Sequence, residues 1–139
     1  MLISRTLYPS YEMAVSTPEE LRARAVKIMQ LLFNKKDLET VSFFIHEQSE
    51  FYHDDRPPVF GRAAFLAGWE KACKFMPDFQ LDIINSVVDG RRVWLFSEIS
   101  GLPNGVKKDS IDMMTFDETG LLIRSKDVQR IKNDNRLDA

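Results

Sequence analysis

Cysteine is almost absent from this chain: Cys73 stands alone among 139 residues. One thiol excludes an internal disulfide and a cysteine-based metal cluster. Its place on the apolar side of a predicted helix suits a buried small hydrophobe better than a nucleophile. Long apolar runs are missing too, and nothing approaches the ~18 to 20 residues that span a bilayer. The opening MLISRTLYPSYEMAVS lacks the continuous apolar segment of a signal peptide. The expectation is a cytoplasmic, reducing location with no membrane partner. Charge of one sign is also lacking, because 19 basic and 21 acidic residues leave a net charge of −2. That balance gives no electrostatic reason to expect nucleic acid. The basic pairs Lys35-Lys36, Arg91-Arg92 and Lys107-Lys108 fall in predicted turns or at strand ends and read as solvated edges. Nor is there a phosphate-binding loop, a nucleophile motif or a metal-ligand cluster, so no cofactor is called for.

What is present is an ordinary globular composition, 44% hydrophobic and 29% charged, in a chain long enough for one domain with its own core. Residues 1–16 show no helical or strand period and read as an N-terminal arm. Thr17-Pro18-Glu19-Glu20 is a helix start, with Thr17 as cap, Pro18 at the first position and Glu20 closing a capping box. Leu21, Ala25, Ile28 and Leu32 follow at helical spacing to about Asn34. Asp37 caps a second, shorter helix carrying Leu38, Val41, Phe44 and Ile45, with His46 at its end. Phe51-Tyr52-His53 is a short aromatic segment that could be a strand, broken by Pro57-Pro58. Gly61 opens a third helix with Phe65, Trp69, Ala72 and Cys73 on one side, and Pro77 stops it.

From Phe79 the period changes to two. Strands are predicted over Phe79 to Val88, Val93 to Ser100, Val106 to Phe116 and Leu121 to about Arg130. Glycine-containing turns join them, and residues 131–139 form a polar tail. Consecutive tight turns make an antiparallel meander, and helices followed by strands make the class α+β.

Several segments in this order resemble one family. Gly61-Arg62-Ala63-Ala64-Phe65 and Phe75-Met76-Pro77-Asp78-Phe79 are similar to the helix start and the Pro-Asp sheet entry of SnoaL-like polyketide cyclases, in the nuclear transport factor 2-like superfamily. Val88-Asp89-Gly90-Arg91-Arg92-Val93 looks like its acidic turn. Ile99-Ser100-Gly101 with Asn104-Gly105 looks like its Gly-Thr-His-x-Gly segment without the Thr-His pair. Gly120-Leu121-Leu122 through Asp127 matches its last strand, with Lys126 where an aromatic is common. The resemblance spans residues 17–130. It implies a cone-shaped fold, N-terminal helices over a strongly bent antiparallel sheet, around an apolar cavity and in a homodimer. The implied activity is a cofactor-independent cyclase, isomerase or dehydratase acting on a small apolar, polyketide-like carbonyl compound in secondary metabolism. The fold leaves the chemistry open, and the rival reading is a non-catalytic module that binds a small molecule or a protein.

Acid–base work in a dry cavity needs an acid among hydrophobic residues, where burial raises its pKa; ketosteroid isomerase, of the same superfamily, is an instance. Asp127 matches the family's C-terminal acid/base; by itself it could equally be a strand-end carboxylate paired with Lys126, Lys108 or Arg124. Asp112 sits between Ser110 and Met114 on its strand face, an odd place for a carboxylate unless it is partnered or functional. Glu98 alternates with Trp94 and Phe96 in the same way. Face assignment decides both, and a one-residue slip reverses it. His53 lies at the expected cavity mouth and aligns with a histidine of the family, although it could be a loop residue. The catalytic candidates are therefore Asp127, His53 and Asp112. Tyr52, Phe65, Trp69, Trp94, Glu98 and Met114 are the candidates for substrate contact, with the Tyr52 hydroxyl expected to stabilise an enolate.

Overall fold

The computed structural model describes residues 17–132, so the predicted arm at 1–16 and all but the first two residues of the predicted tail lie outside the described residues. Helix α1 is Pro18–Met29, and its capping box is complete: the Glu20 amide donates to Thr17 Oγ1 at 3.1 Å and the Thr17 amide to Glu20 Oε1 at 3.0 Å. Leu21, Ala25, Ile28 and Met29 form its buried side. The helix continues as a π-helical extension, Gln30–Lys35, that buries Leu31, Leu32 and Phe33 and ends at the left-handed Lys36. Helix α2, Leu38–Ser42, is capped by Asp37, whose carboxylate accepts the Thr40 amide at 3.1 Å.

The strands are β1 (Ile45–His53), β2 (Val59–Phe60), β3 (Gln80–Asp89), β4 (Arg92–Ser100), β5 (Lys108–Phe116) and β6 (Leu122–Ile131); α3 is Arg62–Phe75. They form one six-stranded sheet in the order β2-β1-β6-β5-β4-β3. The four long strands are the expected antiparallel meander. The difference from the sequence reading lies at the other edge. There β1 pairs with β6 in parallel, and the sheet is mixed. The short α2 follows from this pairing. Phe44 and Ile45 keep helical spacing, but the Phe44 carbonyl accepts the Leu122 amide at 2.9 Å, and Ile45 pairs with Leu122. Long-range backbone pairing therefore overrides a weak local helix signal. His46 stands on β1 rather than at a helix end, and the aromatic segment at 51–53 is the end of a nine-residue strand.

The helices pack on one face of the sheet, called here the inner face. The core there joins Leu21, Ile28 and Leu32 to Val93, Leu95, Ile99, Met114 and Phe116. Helix α3 has no fully buried residue and anchors by rings. Phe65 stacks on Phe51 with ring centres 3.8 Å apart, and Trp69 meets Phe33 at 4.8 Å and Phe79 at 5.6 Å. The Trp69 indole donates to the Leu32 carbonyl at 2.9 Å. Gly101 is obligatory at the β4–β5 turn: its φ is +73°, and a Cβ there would lie 2.0 Å from the Asp78 carbonyl oxygen. No helix of the described residues is long and apolar enough to cross a membrane.

Candidate active site

On the inner face, along β1, β6 and β5, three of the predicted acid–base residues fall in one cross-strand row. His53 opposes Asp127 across the parallel pair, and Asp127 opposes Asp112 across the antiparallel one. His53 Nδ1 donates to the Asp127 carboxylate, at 2.7 Å to Oδ1 and 2.8 Å to Oδ2. The Asp127 side chain is 15% exposed and that of His53 36%, so the pair lies at the edge of the interior rather than in free solvent. Gln129 Nε2 donates to Asp127 Oδ2 at 3.0 Å and fixes its orientation.

Asp112 is 4% exposed, and Ser110 Oγ donates to its Oδ2 at 3.2 Å. Burial pushes its carboxyl up to about 7, and the neighbouring Asp127 carboxylate adds to the rise. The hydrogen bond that Asp127 accepts raises the His53 imidazole above its ordinary value, against the opposing effect of burial. The row therefore brings an imidazole held by a carboxylate next to a second carboxyl that keeps its proton near neutrality. It can take up and deliver a proton. Among the described residues no group of three His, Cys, Asp or Glu side chains is arranged to hold a metal ion.

Of the other candidates, Met114 is buried on the inner face, one pleat from Asp112. Phe65 and Trp69 lie on α3 above that face, engaged in the ring cluster described above. Tyr52, Trp94 and Glu98 do not join them: they lie on the outer face, away from the acid row. Tyr52 alternates with Phe51 and His53 and so points to the outer face, where its hydroxyl donates to Glu50 at 2.7 Å and its ring lies under Arg124. Trp94 is 49% exposed, because its strand turns Val93 and Leu95 inward. Glu98 shares the outer face and is bound by Lys132 Nζ at 2.6 Å. A groove of about 770 Å³ on that outer face is lined by His46, Glu50, Arg91, Trp94, Arg124 and Lys126 among others. It does not contain the acid row.

Residues not anticipated are Phe51, Ser110, Gln129 and Asp54. Ser110 and Gln129 stand two places from Asp112 and Asp127 on the same strands, so strand alternation alone could have flagged them.

Comparison with known proteins identifies the family and the fold. Residues 25–125 match the family described as SnoaL-like domain. A protein named "Probable cyclase otaY" from Aspergillus niger is 34% identical over 112 residues, covering 80% of this chain and 92% of that one. Among solved structures, a "putative ketosteroid isomerase" from Kribbella flavida superposes with a TM-score of 0.73 at 20% identity, over 87% of this chain and 85% of that one. A "Putative SnoaL-like polyketide cyclase" from Shewanella denitrificans gives 0.69 at 18% identity, over 79% and 90%. At such identities the structural likeness speaks for the fold alone.

Proposed function

The chain belongs to the SnoaL-like domain family, and from that premise we propose that it is a cofactor-independent cyclase, isomerase or dehydratase acting by acid–base chemistry on a small apolar, polyketide-like carbonyl compound. The observation that carries this reading is the His53–Asp127 hydrogen bond at 2.7 Å beside the buried Asp112. Similarity to a relative named as a probable cyclase supports a cyclisation or a related step in secondary metabolism. Asp127 takes a proton from the carbon next to the carbonyl. His53 orients that carboxylate and balances its charge. The electrons move onto the carbonyl oxygen, and Asp112, still holding its proton, donates a hydrogen bond to the developing enolate. This is the part Tyr52 cannot play from the opposite face. The enolate carbon then attacks an electrophile within the same molecule, or is reprotonated at another position, and Asp127 returns the proton. The burial of Asp112, together with the Asp127 charge, keeps its carboxyl protonated towards neutrality.

Exchange of carbon-bound hydrogen for deuterium tests the first step without knowledge of the product. In D2O, the native protein should accelerate exchange α to the carbonyl in aromatic β-dicarbonyl compounds, read by proton NMR, and Asp127→Asn should abolish it. Exchange retained in Asp127→Asn removes Asp127 from the mechanism.

A homodimer is part of the same proposal. Val87, Trp94, Phe96, Ile111 and Val128 are exposed large hydrophobics, and strand alternation puts them together on the outer face. A second copy would cover them. The second reading, a binding or interaction module, is favoured by the groove on that face. It predicts no exchange by the native protein with any carbonyl compound of the panel.

A further inference from the structure

We propose that Asp54 is a positioning residue for the His53–Asp127 pair, holding the imidazole between two carboxylates where β1 ends; the proposal rests on reading that pair as the acid–base centre. Strand β1 stops at His53, and Asp54 takes the left-handed conformation with φ 46°. A non-glycine residue accepts that backbone only where its surroundings enforce it, and aspartate tolerates it better than most. Two hydrogen bonds to β6 enforce it here. The Asp54 amide donates to the Asp127 carbonyl at 3.0 Å, and Asp54 Oδ1 accepts the Gln129 amide at 2.9 Å. The same carboxylate places Oδ2 3.7 Å from His53 Nε2.

These contacts close a circuit. Asp54 holds Gln129 by its backbone, Gln129 holds Asp127 by its side chain at 3.0 Å, and Asp127 holds His53. Asp127 Oδ2 is shared by Gln129 Nε2 and His53 Nδ1, so the position of one bears on the other. The 3.7 Å separation is longer than a hydrogen bond. Asp54 therefore favours a proton on Nε2 by its charge without capturing it, and that N–H stays available to a substrate oxygen. The charged groups acting on the imidazole are Asp127 on β6, Asp54 and Arg56 in the loop after β1, and Asp112 on β5. Asp127 and Asp54 favour the imidazolium and Arg56 opposes it. Asp54 is thus the second carboxylate on the ring, and it is not itself placed to meet a substrate carbon.

Asp54→Asn separates charge from geometry, since asparagine tolerates the same backbone and keeps an acceptor for the Gln129 amide. Asp54→Gly, which accepts positive φ and removes the whole side chain, is the companion variant. The readout is the titration midpoint of the His53 ring in the ligand-free protein, followed by two-dimensional 1H–15N NMR. Both variants should lower the midpoint, less than Asp127→Asn does, and Asp54→Gly should also broaden the Gln129 side-chain amide signals. A purely structural role would lower the melting temperature and leave the midpoint in place. A midpoint equal to the native one in either folded variant overturns the proposal. Because no substrate is present, this result is independent of whether the protein exchanges α-protons.

Discussion

The two faces of one sheet carry opposite anomalies. On β5 the inner face reads Ser110, Asp112, Met114 and Phe116, all buried, while the outer face offers Ile111 at 39% exposure. A carboxylate has been taken out of water and a large hydrophobe left in it. On β4 the inner face turns in Val93, Leu95, Ser97 and Ile99, and the outer face shows Trp94 and Phe96. Simple partition would bury the aromatics and expose the acid. The departure on the inner face is costly within the chain itself, because a buried carboxyl must find a partner or keep its proton. The departure on the outer face forfeits apolar burial that a covering partner would restore. In the proposed function the first is the acid–base centre and the second the surface that a second copy covers.

The largest test of this contrast is Asp127→Asn. It should reduce α-proton exchange by about 10²- to 10⁴-fold, the usual worth of a positioned acid or base, with the circular dichroism spectrum unchanged. A loss below tenfold would make the inner row ordinary.

Next comes the pH dependence of stability. Asp112 has a carboxyl near 7 in the folded protein against 3.8 as the model-compound value. Between those pH values the folded chain holds a proton that the unfolded chain has released. The contribution of Asp112 to stability therefore falls as pH rises from about 4 to about 7, by roughly 3 to 5 kcal/mol. Asp112→Asn should flatten that slope in urea unfolding measured at several pH values. Equal slopes in the two proteins would show that the inner carboxyl is not held neutral.

On the outer face, Phe96→Asp should weaken self-association at least tenfold, about 1.4 kcal/mol, seen as a shift towards monomer in light scattering. Deuterium exchange per protomer should change far less than in Asp127→Asn. An unchanged assembly would place the dimer contact elsewhere. The smallest effect belongs to Tyr52→Phe. Since the hydroxyl serves Glu50 on the outer face, exchange should stay within about twofold of native. A loss as large as that of Asp127→Asn would return Tyr52 to the catalytic group.

Much of the scaffold was legible because its signals are local. The Thr17 capping box, the Pro77 stop and the turns that divide β3 to β6 each depend on residues within a few positions of one another. The extent of β1 was not, since its partner β6 lies more than 70 residues away and its pairing is parallel. Tyr52 and His53 illustrate the consequence for the site. They are neighbours with similar claims as candidates, and the alternation of β1 sends them to opposite faces.

Composition and local pattern by themselves determined the kinds of elements, their order and the presence of acids among hydrophobic residues. Which acids meet was decided by tertiary structure, through one irregularity. Phe116 pairs with Leu122, but Thr115 pairs with Arg124, because a residue is bulged out of β6. Without that bulge the register leaving the turn would set Lys126 opposite Asp112 and turn Asp127 outward. With it, Asp127 opposes Asp112 and, through the parallel pairing, His53. A strand has a side-chain period of two, so one extra residue exchanges its faces; no pattern within β6 alone records which face the core will claim.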